Sequence, residues 1–158
     1  MAAGSASADS PGVIALPPLL YAGALLLVVI LRVFRPLPIT AWVIALPAGL
    51  ALSVAAIALA RWGRRTMQAA GTNINPGLPA TTVVTAGPFR YSRNPLYVAL
   101  TLLYLGLTLA VNTWWGIVVL APLLIVMHVG VVAREERYLD RKFGDSYRDY
   151  RSKVRRYV

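Results

Sequence analysis

Two short polar segments carry most of the side chains with which this apolar chain could do chemistry. The first, Ala86–Tyr97 (AGPFRYSRNPLY), holds two arginines and an Asn-Pro step among aromatic residues. The second is the adjacent acid pair Glu135 and Glu136, in a chain with 6 Asp and Glu residues in all. A carboxylate at a membrane boundary is costly unless it is paired. Arginines and a carboxylate together suit a zwitterionic ligand such as an amino acid moiety, and a plain ion pair between the two segments is the alternative.

Asn94 and Pro95 predict the start of a helix. Proline is favoured at the first helical position, where its missing N–H needs no intrahelical partner. Asn94 is then the N-cap, whose side-chain oxygen can accept a backbone N–H. The remaining N–H groups and the positive end of the helix dipole favour an anion there. The alternative is a positively charged loop that simply ends in a helix cap.

The composition indicates a small integral membrane protein. The chain has 158 residues, of which 58% are hydrophobic, and a mean hydropathy of +0.62. Soluble domains have roughly 45–50% apolar residues, and several runs here approach the ~20 residues that cross a bilayer. The absence of Cys and the single His exclude disulfides, thiol nucleophiles and a multi-histidine metal site. We predict an all-α membrane bundle without a metal.

Four membrane spans and one interfacial helix are predicted after a disordered tail at residues 1–12. The spans are residues 13–31, 39–60, 95–111 and 115–133. The last one is expected to continue past the acid pair to Phe143 and to end at Gly144. An amphipathic helix at residues 145–157 follows, because its apolar side chains repeat every three or four residues, and it is expected in the membrane interface. Residues 13–158 are expected to form a single domain.

The second predicted span has a recurring set of small residues. These are Ala48, Ala51, Ala55 and Ala58. Small side chains let membrane helices approach one another closely, so this set is expected to pack on a neighbouring helix. The span is expected to end at the basic cluster Arg61–Arg65, which surrounds an interfacial tryptophan.

The connection predicted at residues 66–93 is the longest polar one in the chain. It contains a short β-prone run at Thr81–Thr85. A connection of this length in a compact protein is usually functional or disordered. Its apolar middle favours a function.

The net charge of +10 is concentrated at two places. Of the 16 Lys and Arg residues, 14 lie between residues 61 and 93 or between 134 and 156, and Arg32 and Arg35 are the exceptions. The positive-inside rule places both regions, and with four spans both termini, in the cytoplasm. Positive charge beside membrane spans favours anionic lipid as a partner, and no nucleic-acid motif is present.

The same segments resemble the isoprenylcysteine carboxyl methyltransferase and phospholipid methyltransferase superfamily of membrane enzymes. GPFRYSRNPLYVA stands where that superfamily has Gly-x-Tyr…Arg-His/Asn-Pro-x-Tyr. REERYLDRKFGDSYRDYRSKVRRYV stands where it has Glu-Glu, Phe-Gly and Tyr-x-x-Tyr. The likeness covers about Thr81–Val158. There are two departures: Asn94 replaces a histidine, and Val131 stands where the carboxyl methyltransferases have a substrate-binding arginine, for which Arg134 or Arg93 could substitute.

The resemblance implies an S-adenosylmethionine-dependent methyltransferase with a helical, non-Rossmann fold in the bacterial inner membrane. The cofactor would lie at the cytoplasmic face, with its methyl group toward a lipid-facing tunnel. Carried over by position, the cofactor-binding residues would be Thr81, Thr82, Val83, Val84, Phe89, Asn94, Pro95, Leu96, Tyr97 and Glu135. The catalytic residues would be Arg93, Arg134 and Glu135. The implied acceptor is an isoprenylcysteine-type carboxylate or another lipid-like acid or amine.

Two other functions fit the same residues. The first is an NADPH-dependent membrane reductase of the sterol-reductase type, in which the arginines would bind phosphate groups. The second is a non-enzymatic membrane scaffold whose basic tail binds anionic lipid. His128 has no second histidine or acid partner near it in the sequence, so we expect it to be a hydrogen-bonded structural residue.

Overall fold

The structure is a computed structural model that describes residues 10–157, so residues 1–9 of the predicted tail lie outside it. The described residues form helices and connections without a strand, which confirms the predicted all-α class. The helices are α1 (Pro17–Phe34), α2 (Trp42–Ala69), α3 (Pro95–Ala110), α4 (Trp115–Met127), α5 (Ala133–Phe143) and α6 (Asp145–Lys153). A 3-10 turn, Gly87–Arg90, precedes α3, and a π-helical turn, His128–Val132, joins α4 to α5.

Among residues 10–157, three helical segments are long and apolar enough to cross a membrane. They are α1, α2 and the continuous helix Trp115–Phe143, which contains α4, the π-helical turn and α5. The third predicted span, α3, is a shorter apolar helix of 16 residues, which at 1.5 Å per residue is roughly 24 Å long. Each of the four predicted spans therefore corresponds to an apolar helix in the described part of the chain, and three of these helices are long enough to cross a membrane.

Helix α2 is longer than predicted. It begins at Trp42 and continues to Ala69, so the expected end at the Arg61–Arg65 cluster is wrong. Arg, Gln and Met are good helix formers, and Gly63 lies directly against the Leu96 side chain of α3, which holds this part of α2 in the bundle. The polar connection is correspondingly shorter, and its β-prone run, Thr81–Thr85, forms no strand.

The α2–α3 interface is formed by small residues, but not by the predicted alanines. Ala48, Ala51, Ala55 and Ala58 are exposed. The buried face is instead Ala45, Gly49, Ser53, Ala56 and Gly63. A Cβ atom on Gly49 would overlap the backbone of Gly106 and Ala110, so the two helices approach closely at this point. The residues of the interface are therefore those at which the backbones of α2 and α3 come closest, and not simply all the small residues of α2.

Helices α1, α3 and α4 share an apolar core. It contains Tyr21, Val28, Tyr104, Val119, Leu123 and Met127. The α3–α4 turn is joined to the α1–α2 connection by Asn112, whose Oδ1 accepts the backbone N–H groups of Ile39 at 2.9 Å and Thr40 at 3.1 Å. These contacts fix the end of the bundle opposite the acid pair.

Helix α6 turns its aromatic face into the protein. Tyr147 and Tyr150 are buried against Phe89, and the Tyr150 hydroxyl donates to the Phe89 carbonyl at 2.7 Å. The helix ends at Lys153 rather than continuing to residue 157, and Val154 is already extended. The C-terminal segment therefore packs on the connection before α3.

Candidate functional site

A polar cavity of about 90 Å³ lies where the α2–α3 connection meets α5 and α6. The predicted site residues that line it are Thr82, Val83, Val84, Phe89, Arg93, Asn94 and Glu135. Segments far apart in the sequence thus converge on one cavity, as the two polar segments led us to expect. We call it the polar cavity.

Within the polar cavity, Glu136 is held between two arginines. Its Oε1 lies 3.0 Å from Arg93 Nη1, and Arg156 binds it through two nitrogens, Nε at 3.0 Å and Nη2 at 2.7 Å. The side chains of Arg93 and Glu136 are only 9% and 10% exposed. Such bidentate, charge-assisted pairs are the stronger class of hydrogen bond, so Glu136 has the ion-pair role that the sequence left open for either acid.

Arg93 also has an unsatisfied group. Its Nε is buried and has no hydrogen-bond partner among residues 10–157, while its Nη1 donates to the Tyr147 hydroxyl at 3.4 Å. Buried polar groups nearly always have a partner, and leaving one unmade costs free energy. Arg93 lines the polar cavity, so its buried Nε is a candidate partner for an anionic ligand group, which must displace the atoms that cover it.

Glu135 differs from its neighbour in its partners. The Tyr97 hydroxyl donates to Glu135 Oε2 at 2.7 Å. In the described part of the chain Glu135 belongs to no ion pair, although it lines the polar cavity. Its carboxylate is thus available to a cationic ligand group.

The protonation of the surrounding groups follows from their neighbours. Burial raises the pKa of the Tyr147 phenol, and the nearby Glu136 carboxylate raises it further, against an opposite effect of Arg93. The hydrogen bond to Glu136 raises the pKa of the Arg156 guanidinium. At neutral pH, Tyr147 is a neutral phenol that accepts a hydrogen bond from Arg93, and Arg156 is a cation.

A second, apolar groove of about 500 Å³ lies between α1, α3 and α4. Its lining residues include Tyr21, Tyr97, Thr101, Leu102, Leu124, His128 and Tyr157. His128 Nδ1 lies 3.2 Å from the Tyr157 hydroxyl, which agrees with the hydrogen-bonded histidine that we predicted. Tyr97 lines this apolar groove while its hydroxyl binds Glu135 of the polar cavity, so Tyr97 lies between the two.

The other predicted site residues do not line the polar cavity. The Thr81 hydroxyl donates to Gly71 O at 2.9 Å. Pro95 begins α3, and Leu96 packs on α2. Arg134 is exposed, and its Nη1 donates to the Gly12 carbonyl at 2.9 Å.

The predicted capping role of Asn94 is wrong. Asn94 precedes α3 as expected, but its side chain makes no capping hydrogen bond. Its Nδ2 donates instead to Arg156 O at 3.0 Å. The side chain is drawn away from the helix start because the C-terminal segment offers a carbonyl within reach.

The sequence did not single out several residues that contribute to the polar cavity. Tyr147 and Tyr150 line it, and Arg156 holds Glu136. The connection, for which the sequence favoured a function, contributes Thr72, Asn73, Ile74, Asn75, Pro76 and Leu78. The tyrosines belong to the periodic apolar face of the predicted interfacial helix, and that pattern did not indicate a ligand site. Arg156 is one of nine basic residues after residue 133, so nothing in the sequence distinguished it.

Comparison with known proteins agrees with the motifs. Residues 42–146 match the phospholipid methyltransferase family. A relative described as an uncharacterized protein, from Haemophilus influenzae, is 39% identical over 66 residues, which are 40% of this chain and all of the relative. No solved structure matches the chain. The family match covers α2 through the start of α6, and with it the acid pair and the lining of the polar cavity except Pro11, Tyr147 and Tyr150. The chain therefore belongs to the phospholipid methyltransferase family of membrane methyltransferases.

Proposed function

We propose that this protein transfers a methyl group from S-adenosylmethionine to a lipophilic acceptor. The family supports methyl transfer in general, against a reductase or a passive scaffold. The observation that carries the choice of donor is that one cavity is lined by a carboxylate without a cationic partner and by an arginine with an unpaired nitrogen. Glu135 has no cationic partner within residues 10–157, and the buried Arg93 Nε has no hydrogen-bond partner there.

The residues of the polar cavity suit the donor chemically. The Glu135 carboxylate is the natural partner of its α-ammonium group, and Arg93 Nε is the natural partner of its α-carboxylate. Val83, Val84 and Phe89 offer apolar surface to the nucleoside. An aromatic ring such as Phe89 also attracts a sulfonium cation through its π face.

The size of the polar cavity implies that the connection above it moves. At about 90 Å³ it is smaller than the roughly 300–1,000 Å³ of typical ligand sites. Part of its wall is the segment Thr72–Leu78, which belongs to a connection without regular structure. We propose that this segment is displaced when the donor binds and then covers it.

The apolar groove is the proposed acceptor site. Its wall is nearly all hydrocarbon, and the three helices that form it are apolar. Val131, at the position of the substrate-binding arginine, is fully buried, while Arg93 is engaged with Glu136 and Arg134 with Gly12. This favours a lipid-like acid or amine other than isoprenylcysteine.

The reaction requires little chemistry from the protein. When bound, the donor would supply an electrophilic methyl group to the lone pair of the acceptor; the bond from sulfur to the methyl carbon would break, and S-adenosylhomocysteine would leave. Holding two reactants in line is worth up to roughly 7–11 kcal/mol, and Tyr97 of the apolar groove is hydrogen-bonded to Glu135 of the polar cavity. A carboxylate acceptor needs no general base, whereas an amine acceptor must lose a proton.

We place the protein in the bacterial inner membrane with both termini in the cytoplasm. The apolar helices and the family make it an integral membrane protein. The concentration of positive charge in the α2–α3 connection and in the C-terminal segment supports the orientation. The same charge supports anionic lipids as its surroundings.

The proposal is tested by calorimetric titration of the detergent-purified protein with S-adenosylhomocysteine. We expect binding by the wild type, loss of binding in Glu135→Ala, and wild-type affinity in Asp149→Ala, which removes an exposed carboxylate. Radiolabelled S-adenosylmethionine with a total bacterial lipid extract then identifies the acceptor. Absence of binding at millimolar ligand overturns the proposal, and NADPH and anionic lipid become the next ligands to test.

A further inference from the structure

The last residues of the chain run along the segment that enters α3. The Arg93 backbone N–H donates to Arg155 O at 2.9 Å. The Asn94 side chain donates to Arg156 O at 3.0 Å, and the Ser92 hydroxyl lies 3.4 Å from the same oxygen. Three consecutive residues, of which Arg93 and Asn94 line the polar cavity, are thus attached to the C-terminal segment.

The Arg156 side chain makes a second attachment to the same wall. Its two nitrogens bind both oxygens of Glu136, and Glu136 in turn binds Arg93. Arg156 therefore contacts the wall through its carbonyl, at Asn94, and through its guanidinium, at Glu136. Because Arg93 and Glu136 are nearly buried, their positions depend on each other.

We propose that Arg156 is a positioning residue of the methyl-donor site. It orients the Asn94 side chain directly and the Arg93 guanidinium through Glu136, so that Arg93 Nε remains free for the ligand. Arg156 does not line the polar cavity, so it acts on the site through Asn94 and Glu136. This inference rests on the proposed function, because it concerns the same site.

Removing the guanidinium has a defined consequence. In Arg156→Ala, Glu136 keeps Arg93 as its one partner and can rotate toward it, which brings the carboxylate into competition with the ligand for Arg93. Two charge-assisted hydrogen bonds are lost, and we expect the affinity for S-adenosylhomocysteine to fall about tenfold. Arg156→Lys retains the charge but not the fork that binds both oxygens, so its affinity should lie between those of Arg156→Ala and the wild type.

The experiment has two arms and a matched control. The first measures hydrogen exchange at the backbone amides of residues 92–94 in the ligand-free protein, and the second measures the dissociation constant of S-adenosylhomocysteine. The control is Arg155→Ala, which removes the same charge from the next residue. The Arg155 side chain is exposed, and only its carbonyl is used. We expect faster exchange and weaker binding in Arg156→Ala and neither change in Arg155→Ala.

The two arms separate this inference from the function on which it rests. The inference is supported if the wild type binds S-adenosylhomocysteine and if Arg156→Ala shows both faster exchange and an affinity about tenfold lower. Equal exchange and equal affinity in the Arg156 and Arg155 variants overturn it. A wild-type protein that binds no S-adenosylhomocysteine overturns the proposed function, while the exchange arm still decides whether Arg156 holds the wall.

Discussion

The Tyr97 hydroxyl donates a hydrogen bond of 2.7 Å to Glu135, and Tyr97 lines the apolar groove while Glu135 lines the polar cavity. Tyr97 belongs to the first turn of α3, and Glu135 to the helix that leaves the α3–α4 hairpin. One hydrogen bond thus links the ligand-binding carboxylate of the proposed donor site to the wall of the proposed acceptor site.

Tyr97→Phe should weaken donor binding without unfolding the protein. The variant keeps the ring but leaves Glu135 without its hydrogen-bond donor, so the carboxylate is less well oriented. A hydrogen bond to a charged group is worth about 1.5–3 kcal/mol, and we expect the dissociation constant of S-adenosylhomocysteine to rise at least about tenfold. Calorimetric titration measures it.

Tyr104→Phe is the matched control for that variant. Tyr104 lies on the same helix, and its hydroxyl donates to Gly116 O at 2.9 Å in the buried core. Its loss should lower the melting temperature and leave the affinity unchanged. Equal affinity losses in the two tyrosine variants would mean that the Tyr97–Glu135 contact has no special role in binding.

The two adjacent acids should respond differently to neutralisation. Glu135→Gln removes the negative charge proposed to bind the ammonium group of the ligand, so S-adenosylhomocysteine binding should be lost. The melting temperature should change little, because this charge belongs to no ion pair within residues 10–157. Glu136→Gln leaves Arg93 as a buried cation without its partner, which costs roughly 3 kcal/mol, so the melting temperature should fall. Thermal unfolding in detergent beside calorimetric titration distinguishes them. The same pattern of losses in both variants would contradict the separate roles.

The sequence predicted the start of α3 and the position of the acid pair well, because both follow from local rules. Pro95 begins the helix as its missing N–H requires, and the acids lie where the long helix leaves its apolar part. It could not predict which acid would be paired. Adjacent side chains point about 100° apart on a helix, and the deciding partner, Arg156, lies 20 residues away in the chain.

The interface between α2 and α3 is a second feature that could not be predicted from local sequence alone. Small residues recur on more than one side of α2, so composition predicts close packing but not its direction. The partner decides, since Gly106 and Ser53 meet where α3 lies against Gly49. The predicted capping role of Asn94 was wrong for a similar reason. A helix cap is predicted from neighbouring residues, whereas the Arg156 carbonyl that binds the Asn94 side chain is distant in the sequence.

The connection over the polar cavity should respond to ligand. The Thr81 N–H is held by the Thr72 hydroxyl at 3.1 Å, and the Ala80 N–H by the Tyr138 hydroxyl at 3.1 Å. Displacement of this segment must break or remake those bonds, so hydrogen exchange at residues 72–84 should change when S-adenosylhomocysteine saturates the protein. Residues 44–56 of α2 serve as the internal reference. Identical exchange with and without saturating ligand would mean that the segment does not move.

Gly49→Ala should destabilise the bundle. The added methyl group would overlap the backbone of α3 at Gly106 and Ala110, and such overpacking typically costs about 1–3 kcal/mol. Gly23→Ala is the control, because a Cβ on Gly23 of α1 meets nothing within 4 Å. We expect a lower melting temperature in the first variant and an equal or higher one in the second. Similar melting temperatures would show that α2 and α3 can separate at little cost.

Filling the apolar groove should impair the use of the acceptor and spare the donor. Leu102→Trp places a large ring among the residues that line the groove, whereas Leu107→Trp adds the same ring to an exposed position of α3 outside it. Changes of a few methylene groups in an apolar pocket alter specificity by an order of magnitude or more, so methyl transfer to a bacterial lipid extract should fall about tenfold in Leu102→Trp alone. The affinity for S-adenosylhomocysteine should match the wild type in both variants. If transfer falls equally in both, the acceptor does not enter through this groove, and if donor binding falls in Leu102→Trp, the groove and the polar cavity are not separate sites.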